Sequence, residues 1–340
     1  MPEPLLKVLH VGAKNFPPDH GGVETCVYEL VKGISEVESH VSVEWGNNCD
    51  YPRAIELPRG IIAKWKTIRR YVRDNEIDLV HVHKSTNIPL ALLLKLSGYK
   101  CILTVHIYVW RRREPRWPAL AKPFLWSLDC VACLILDKVV LVGEHDGMSF
   151  KRFALRRKIA VVRNGVKVGR TTPYNSRKGW VFLGRVCMEK NLLNLIKAAN
   201  QLSEKLTLCG PISPPNPKYE RAFLRELERS DVEWRGPISS DQVRSTLAKH
   251  RVFVNPSLTE GLPFTVLEAA AEGLYLVLSD IRPHRLLNFP GCSYIDPDNL
   301  DLHHLSSNVL NGEANRAHVV NNFSIERMLE GYLDIYRSLI

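Results

Sequence analysis

Short apolar runs alternate with longer amphipathic stretches along most of the chain, and the two spacings predict different elements. Leu5 to Val11, Val41 to Trp45, Asp78 to His83, Cys101 to His106, Lys138 to Val142 and Ile159 to Val162 are rich in valine, isoleucine and leucine. Runs of that length and composition suit strands buried on both faces. Val23 to Ile34, Ile61 to Val72 and Ile88 to Leu96 lie between them and read as helices. In the second of these, Ile61, Ile62, Trp65, Ile68 and Val72 recur at helical spacing, while Lys64, Lys66, Arg69, Arg70 and Arg73 supply a polar side. Arg163 to Arg177 breaks the pattern with glycine, proline and little periodicity, which predicts an interdomain linker. The alternation then restarts. Strands are expected over Trp180 to Leu183, Leu206 to Leu208, Val232 to Trp234, Arg251 to Val254 and Leu274 to Leu278. Helices are expected over Leu192 to Leu202, Tyr219 to Glu228, Gln242 to Ala248 and the alanine-rich Val266 to Ala271. Two short helices between Leu300 and Asn321, and an amphipathic helix over Ile325 to Leu339, complete the chain. Strand–helix alternation in both halves predicts an α/β protein with two doubly wound parallel sheets in tandem.

The bulk numbers narrow the function classes. With 340 residues, 45% apolar and 24% charged, the chain has room for two domains of soluble globular type. No stretch reaches the ~18 uninterrupted apolar residues of a membrane span; Cys130 to Val142 comes nearest and is broken by Asp137 and Lys138. The N-terminus has no charged-then-apolar signal pattern, so a cytoplasmic protein is expected. Eight cysteines are scattered, mostly inside apolar runs, which fits a reducing compartment. Cys130 and Cys133 have metal or redox spacing but no second pair, and core packing is the expectation for them. Of the net charge of +10, residues 1–167 carry +9. That imbalance implies an anionic partner for the front half: membrane surface, lipid phosphate or nucleic acid. Two stretches concentrate it, the Ile61 to Arg73 helix and the run in which Trp110 and Trp117 flank Arg111, Arg112, Arg113 and Arg116. Tryptophan and arginine together suit the headgroup region of an anionic leaflet. No stacking-aromatic or helix-turn-helix pattern supports a nucleic-acid partner, and none is expected.

The candidate chemistry is concentrated between Asn255 and Glu268. This stretch follows a predicted strand and opens a predicted helix, with Pro263 suited to the first helical turn. In a parallel sheet such a loop lies at the carboxyl ends of the strands, where ligands bind. Glu260 in the loop and Glu268 in the helix can grip separate hydroxyl-bearing parts of one extended ligand, and the amides of the helix start favour a phosphate. A plainer reading stays open: Thr265 to Glu268 fits a capping box, and Glu260 fits a solvated loop acid. Arg185 and Lys190 lie five apart across another strand-to-helix turn, where two cations can neutralise a diphosphate or merely be solvated. Gly21 and Gly22 sit at the turn between the first strand and helix, suited to phosphate approach or to a simple turn; there is no G-x-G-x-x-G, which argues against a dinucleotide. Asp296-Pro-Asp298 has the D-x-D form of a metal motif, but its place fits a turn with a helix cap. His303 and His304 are adjacent and face apart on a helix, so neither points to zinc.

Taken together these strings resemble the family-4 retaining glycosyltransferases, glycosyl transferases group 1. The signature is a proline–serine pair, a glutamate–glycine pair and a second glutamate eight positions after the first, here Pro256, Ser257, Glu260, Gly261 and Glu268. Phe182 to Lys190 resembles the family's glycine–arginine turn followed by a lysine, Gly21 and Gly22 its glycine loop, Thr104 to His106 and His83 its cleft histidines, and Asn164-Gly165 the turn that ends the front domain. The resemblance implies the GT-B arrangement: two Rossmann-like domains facing across a cleft. Residues 1–167 would form the acceptor side, 168–322 the nucleotide-sugar side, and 323–340 a helix returning to the front domain. It implies that Glu268 holds the nucleotide ribose, that Arg185 and Lys190 carry the diphosphate, and that Gly21, Gly22, Gly261, Leu262, Pro263 and Asn164 line the donor site. Glu260 and His106 would orient the sugar. The expected donor is a nucleotide-diphosphate sugar, with no cofactor and no metal required. The expected acceptor is a glycan or lipid-linked glycan of cell-surface polysaccharide or lipopolysaccharide, reached from the cytoplasmic face of the membrane, with an anionic membrane surface as a peripheral partner through the Trp110 to Trp117 stretch. A non-catalytic partner subunit of the same fold is one alternative, and intact Glu260, Arg185 and Lys190 argue against it; a nucleic-acid-binding protein, suggested by the charge alone, is the other. The chain departs from the family pattern at Lys167, Asn191 and Gly143, where aspartate, glycine and serine are commoner, and in the residues after Glu268.

Overall fold

The computed structural model describes residues 5–19, 21–47, 49–107, 121–143, 158–169, 176–200, 202, 204–213, 216–303, 305 and 311–340. The chain divides into two compact units, the first ending at Asn164 and resuming at Ile325, the second running from Gly165 to Ser324. In the first unit, β1 (Leu6–Val11) leads to α1 (Gly22–Gly33), followed by β2 (Val37–Glu44) and β3 (Ala54–Leu57). Then come α2 (Ile61–Asp74), β4 (Leu79–His83), α3 (Ile88–Leu96), β5 (Cys101–Val105), α4 (Lys122–Ile135), β6 (Lys138–Leu141) and β7 (Ile159–Val161). The seven strands form one parallel sheet in the order β3-β2-β1-β4-β5-β6-β7. β4 and β5 are buried along their whole length, which is why they read as near-continuous apolar runs.

The second unit contains β8 (Trp180–Leu183), α5 (Leu192–Ala199), β9 (Leu206–Cys209), α6 (Pro217–Leu227), β10 (Glu233–Trp234), α7 (Ser240–Leu247) and β11 (Val252–Asn255). It continues through α8 (Phe264–Ala271), β12 (Tyr275–Ser279), α9 (Arg282–Arg285), β13 (Cys292–Ile295) and α10 (Glu313–Asn322). Its parallel sheet has the order β10-β9-β8-β11-β12-β13. Both units are therefore the parallel α/β sheets expected. Trp180, Phe182, Phe223 and the aliphatic residues of β11 fill the core of this unit. The segments entering and leaving it are tied together, with the Val166 amide donating to the Phe323 carbonyl at 2.9 Å.

The last helix, α11 (Ile325–Arg337), belongs to the first unit. Its apolar face carries two fully buried tyrosines. The Tyr336 hydroxyl lies 2.7 Å from His81 Nδ1, and the Tyr332 hydroxyl lies 3.2 Å from Thr104 Oγ1, which in turn is 2.7 Å from His81 Nε2. A polar seam therefore fixes this helix against β4 and β5. Gly33 of α1 lets it come close, since a Cβ there would lie 2.4 Å from Leu329.

Some boundaries differ from the sequence reading for identifiable reasons. β2 starts four residues before Val41, because the polar His40 is satisfied there by Glu38 at 3.0 Å and Tyr71 at 2.9 Å. β3 was not expected: it is a partly exposed edge strand of four residues carrying a glutamate. α5 ends before the expected Leu202. One helix, α10, stands among the described residues where two were expected. Residues 306–310 and His304 lie outside the described residues.

Candidate active site

In an open parallel sheet the crevice for ligands opens where the strand order reverses. In the second unit that point lies between β8 and β11, and the loops leaving those two strands carry Arg185, Lys190 and Glu260. Glycine makes the first loop possible. Gly184 has φ +156°, and a Cβ there would lie 2.8 Å from the Phe182 ring; Gly210, just after the neighbouring β9, passes so close that its Cβ would sit 1.8 Å from the Gly184 carbonyl oxygen. After a short turn over Met188–Lys190, Asn191 takes φ +58°. Asparagine tolerates that left-handed conformation, so the departure from the usual glycine keeps the backbone path. Its side chain also donates to the Pro297 carbonyl at 2.7 Å.

The second loop is built on Asn255. Its Oδ1 accepts from the Ser257 amide at 3.1 Å and from the Ser257 hydroxyl, and its Nδ2 donates to Glu260 Oε1 at 3.3 Å. The Leu258 amide donates to the Glu189 carbonyl at 2.8 Å and stitches the two loops together. Lys190 and Glu260 then meet as a hydrogen-bonded ion pair, 14% and 10% exposed at the side chain. Burial alone would raise the Glu260 carboxyl, but the charge and hydrogen bond of Lys190 outweigh it and hold the group below its ordinary range. Arg185 is half-buried and makes no ion pair among the described residues. Among the described residues the site therefore holds one cation in an ion pair and one outside any.

His284 joins this site from α9, and no motif singled it out. The Ser279 hydroxyl donates to the Ser257 carbonyl at 2.6 Å, so toward His284 both the Ser279 hydroxyl oxygen and carbonyl act as acceptors, at 3.1 and 3.0 Å from Nδ1. The ring proton must sit on Nδ1. Nε2 is then a buried acceptor with no hydrogen-bond partner among the described residues. Burial lowers the ring's pKa to about 4 even though Glu260 acts to raise it.

Pro263 is not in the first turn of the helix. It caps α8 in an extended conformation at φ −73°, ψ 121°, and the helix starts at Phe264. Thr265 lies inside the helix and no side chain caps it, so the capping-box reading of Thr265 and Glu268 does not hold. Glu268 is the fifth residue of α8, half-buried, beside buried Val266, Leu267, Ala269 and Ala270. Gly261 and Pro263 are half-buried in the loop, and Leu262 is buried. Asp296 and Asp298 close a turn, Oδ1 of the first accepting the amide of the second at 2.9 Å.

In the first unit the strand order reverses between β1 and β4. Gly21, at φ +110°, precedes α1, which begins at Gly22; a Cβ on Gly21 would lie 2.5 Å from Glu24 Oε2. Glu24 is buried and paired with Lys84 at 3.0 Å. Burial would raise its carboxyl, but Lys84 holds it below the ordinary range. Neither residue stood out in the sequence, because a helix-start acid and a strand-end lysine are common surface residues. His83 ends β4 and His106 follows β5, with 3.5 Å between His106 Nε2 and His83 Nδ1. Asn164 is buried at the end of this unit's first segment.

Among the described residues two sets of side chains lie within reach of a common metal ion: His10, His81 and His83, and Cys26, His83 and His106. Both nitrogens of His81 are already engaged at 2.7 Å, and burial pushes the Cys26 thiol up to about 12, so neither set offers a ready anionic donor. Trp110, Arg111, Arg112, Arg113, Arg116 and Trp117 lie outside the described residues. Among the described residues no helix is long and apolar enough to cross a membrane.

Comparison with known proteins places this geometry. Residues 20–170 match the model of Glycosyltransferase Family 4, and residues 177–298 match that of Glycosyl transferases group 1. The chain is 26% identical over 314 residues to GDP-mannose:cellobiosyl-diphosphopolyprenol alpha-mannosyltransferase of Xanthomonas oryzae pv. oryzae, covering 82% of this chain and 80% of that one. It is 25% identical over 325 residues to UDP-Gal:alpha-D-GlcNAc-diphosphoundecaprenol alpha-1,3-galactosyltransferase of Escherichia coli, covering 83% and 80%. The structure superposes on sucrose-phosphate synthase of Thermosynechococcus elongatus with a TM-score of 0.80 at 16% identity, over 99% of each chain. With the signature glutamates, the glycine–arginine turn and both halves matched in order, the chain belongs to the family-4 glycosyltransferases and has their GT-B fold.

Proposed function

We propose that the protein is a retaining glycosyltransferase that moves a sugar from a nucleotide-diphosphate donor to a lipid-linked or other glycan acceptor in cell-surface polysaccharide or lipopolysaccharide synthesis. The observation that carries the reading is the meeting of Lys190 with Glu260, and of their loops with Arg185, at the strand-order reversal of the second unit. Both mannosyl- and galactosyltransferase relatives take nucleotide sugars and diphosphopolyprenol-linked acceptors by name. In the proposed reaction the bond between the anomeric carbon and the diphosphate oxygen breaks, and a bond to the acceptor hydroxyl oxygen forms on the same face. The acceptor proton passes to the departing diphosphate, so no protein base is required. Arg185 and Lys190 stabilise the charge that develops on the leaving group, which is the largest catalytic contribution. Donor phosphate displaces Glu260 from Lys190, and the freed carboxylate accepts from sugar hydroxyls. Glu268 accepts from the ribose hydroxyls, with Gly21, Gly22, Gly261, Leu262, Pro263 and Asn164 assigned to the donor by the resemblance, as is His106 to the sugar. Two cations and backbone amides serve the diphosphate, so a divalent ion is not needed.

The test is a transfer assay with nucleotide sugars and a diphosphopolyprenol-linked acceptor, run with and without chelator, with the product anomer read by NMR. Transfer in chelator with the donor's anomeric configuration kept is the expected result. An inverted product would sink the retaining mechanism, and loss of activity restored by magnesium would sink metal independence. A lipid-linked acceptor also implies a place at the membrane surface. The excess charge of residues 1–167 and the Trp110 to Trp117 stretch support peripheral binding. Binding to phosphatidylglycerol vesicles at low salt, released by about 0.5 M salt and weakened by serine at Arg111, Arg112 and Arg113, is expected; a protein that ignores such vesicles at low salt would favour a soluble acceptor.

A further inference from the structure

Three imidazoles stand in line at the carboxyl ends of β1, β4 and β5. His10 Nδ1 lies 3.4 Å from His83 Nε2, and His83 Nδ1 lies 3.5 Å from His106 Nε2. His10 and His83 are buried and His106 is half-buried. His81 packs beside the line, 4.0 Å between ring centroids from His83, but both its nitrogens are engaged by Tyr336 and Thr104. The facing charges are few. Lys84, paired with Glu24, faces His83 and His106, and His40 faces His10. Burial is the largest influence on every ring of the line. It lowers His10 to about 3 and His106 to about 4, and takes His83 well below the ordinary value, so all three are neutral near pH 7.

A neutral imidazole has one N–H and one bare nitrogen. If His106 carries its hydrogen on Nδ1, its Nε2 can only accept, so His83 must donate from Nδ1. His83 Nε2 then accepts, and His10 must donate from Nδ1. If His106 carries its hydrogen on Nε2, the same steps place the hydrogens of His83 and His10 on Nε2. Any mixed pattern sets two lone pairs or two hydrogens against each other across 3.4–3.5 Å, a gap too short for a bridging water. We propose that His10, His83 and His106 always share one tautomer, and that this line determines whether the outer nitrogen of His106 offers a hydrogen or a lone pair to its ligand. His83 and His10 are on this view positioning residues for His106. That the ligand is a donor-sugar hydroxyl rests on the function proposed above; the shared tautomer does not.

The experiment is long-range proton–nitrogen correlation on the full chain labelled with nitrogen-15 histidine near pH 7, with rings assigned from single substitutions. The three rings are expected to show the same tautomer, and to change together or not at all when nucleotide sugar is added. One ring of opposite tautomer would overturn the inference, as would uptake of one equivalent of zinc into the line. His10→Phe should release the tautomer of His106 and lower kcat for donor hydrolysis by about tenfold with less effect on KM. His10→Asn, whose amide can stand in for Nδ1, should restore both, and a His106 tautomer unmoved by His10→Phe in the folded protein counts against the line. Shared tautomers without turnover of any nucleotide sugar would defeat the proposed function alone; turnover with unlike tautomers would defeat this inference alone.

Discussion

Arg185 and Lys190 both carry positive charge beside the same strand reversal, yet they stand in different environments. Arg185 makes no ion pair among the described residues, while Lys190 compensates the buried Glu260. Their substitutions should therefore separate. Arg185→Ala is expected to lower transfer by about 10²-fold, because it would remove the charge stabilisation proposed for the leaving diphosphate, with little change in the urea midpoint. Lys190→Met removes activity as well, but it also leaves Glu260 buried without its cation. Breaking such a pair costs about 3–5 kcal/mol. Adding Glu260→Gln to Lys190→Met should recover most of that stability and none of the activity. If Lys190→Met unfolds at the wild-type urea concentration, the pair is not structural, and the depressed carboxyl of Glu260 loses its explanation.

At the level of elements, α8 decides between two roles for Glu268. The helix has no side-chain cap, so the carboxylate is not needed to start it. Glu268→Gln keeps the size of the side chain and removes its charge, and is expected to weaken nucleotide binding measured by calorimetry while leaving the melting temperature within a degree or two. Lost stability with unchanged affinity would restore the structural role. The elements themselves were largely legible, because strands buried on both faces read as continuous apolar runs and their helices as periodic ones. Glu260, Arg185 and Lys190 stood out because their spacing fits a strand–loop–helix context. What the pattern hid is polar structure inside the fold. β2 extends through His40 because Tyr71 and Glu38 satisfy the ring. His284 came from a four-residue helix with no periodicity to detect. The seam of Tyr332, Tyr336, His81 and Thr104 joins residues more than two hundred positions apart, a pairing that only the fold can create. Pro263 was misplaced by one residue for a related reason: proline fits either side of a helix start, and local sequence does not choose between them.

Across the whole molecule the buried histidines tie stability to pH. The first unit holds His10, His40, His81, His83 and His106, and the second holds His250 and His284; burial lowers the pKa of each. In the unfolded chain each ring regains an ordinary value of about 6.5. As pH falls below that value the unfolded state binds protons that the native state does not, so stability falls with falling pH. The stability from neutral burial is complete above about pH 6.5 and is lost progressively down to the folded values, about 4 for His106 and His284 and about 3 for His10. Each such ring contributes a slope of about 1.4 kcal/mol per pH unit within its window. Glu24 and Glu260, held below the ordinary carboxylate range, add their loss only at lower pH. The interval from about pH 6.5 to about pH 5 therefore isolates the histidines. Urea unfolding followed by circular dichroism is expected to give a midpoint that is flat from about pH 8 to about pH 7 and falls steeply between about pH 6 and about pH 5. His284→Phe, which removes one neutral ring from the second unit, should make that fall shallower. A midpoint that stays level to about pH 5 would mean that the buried rings take up protons in the native state, and neutral imidazoles could then not form the line of His10, His83 and His106.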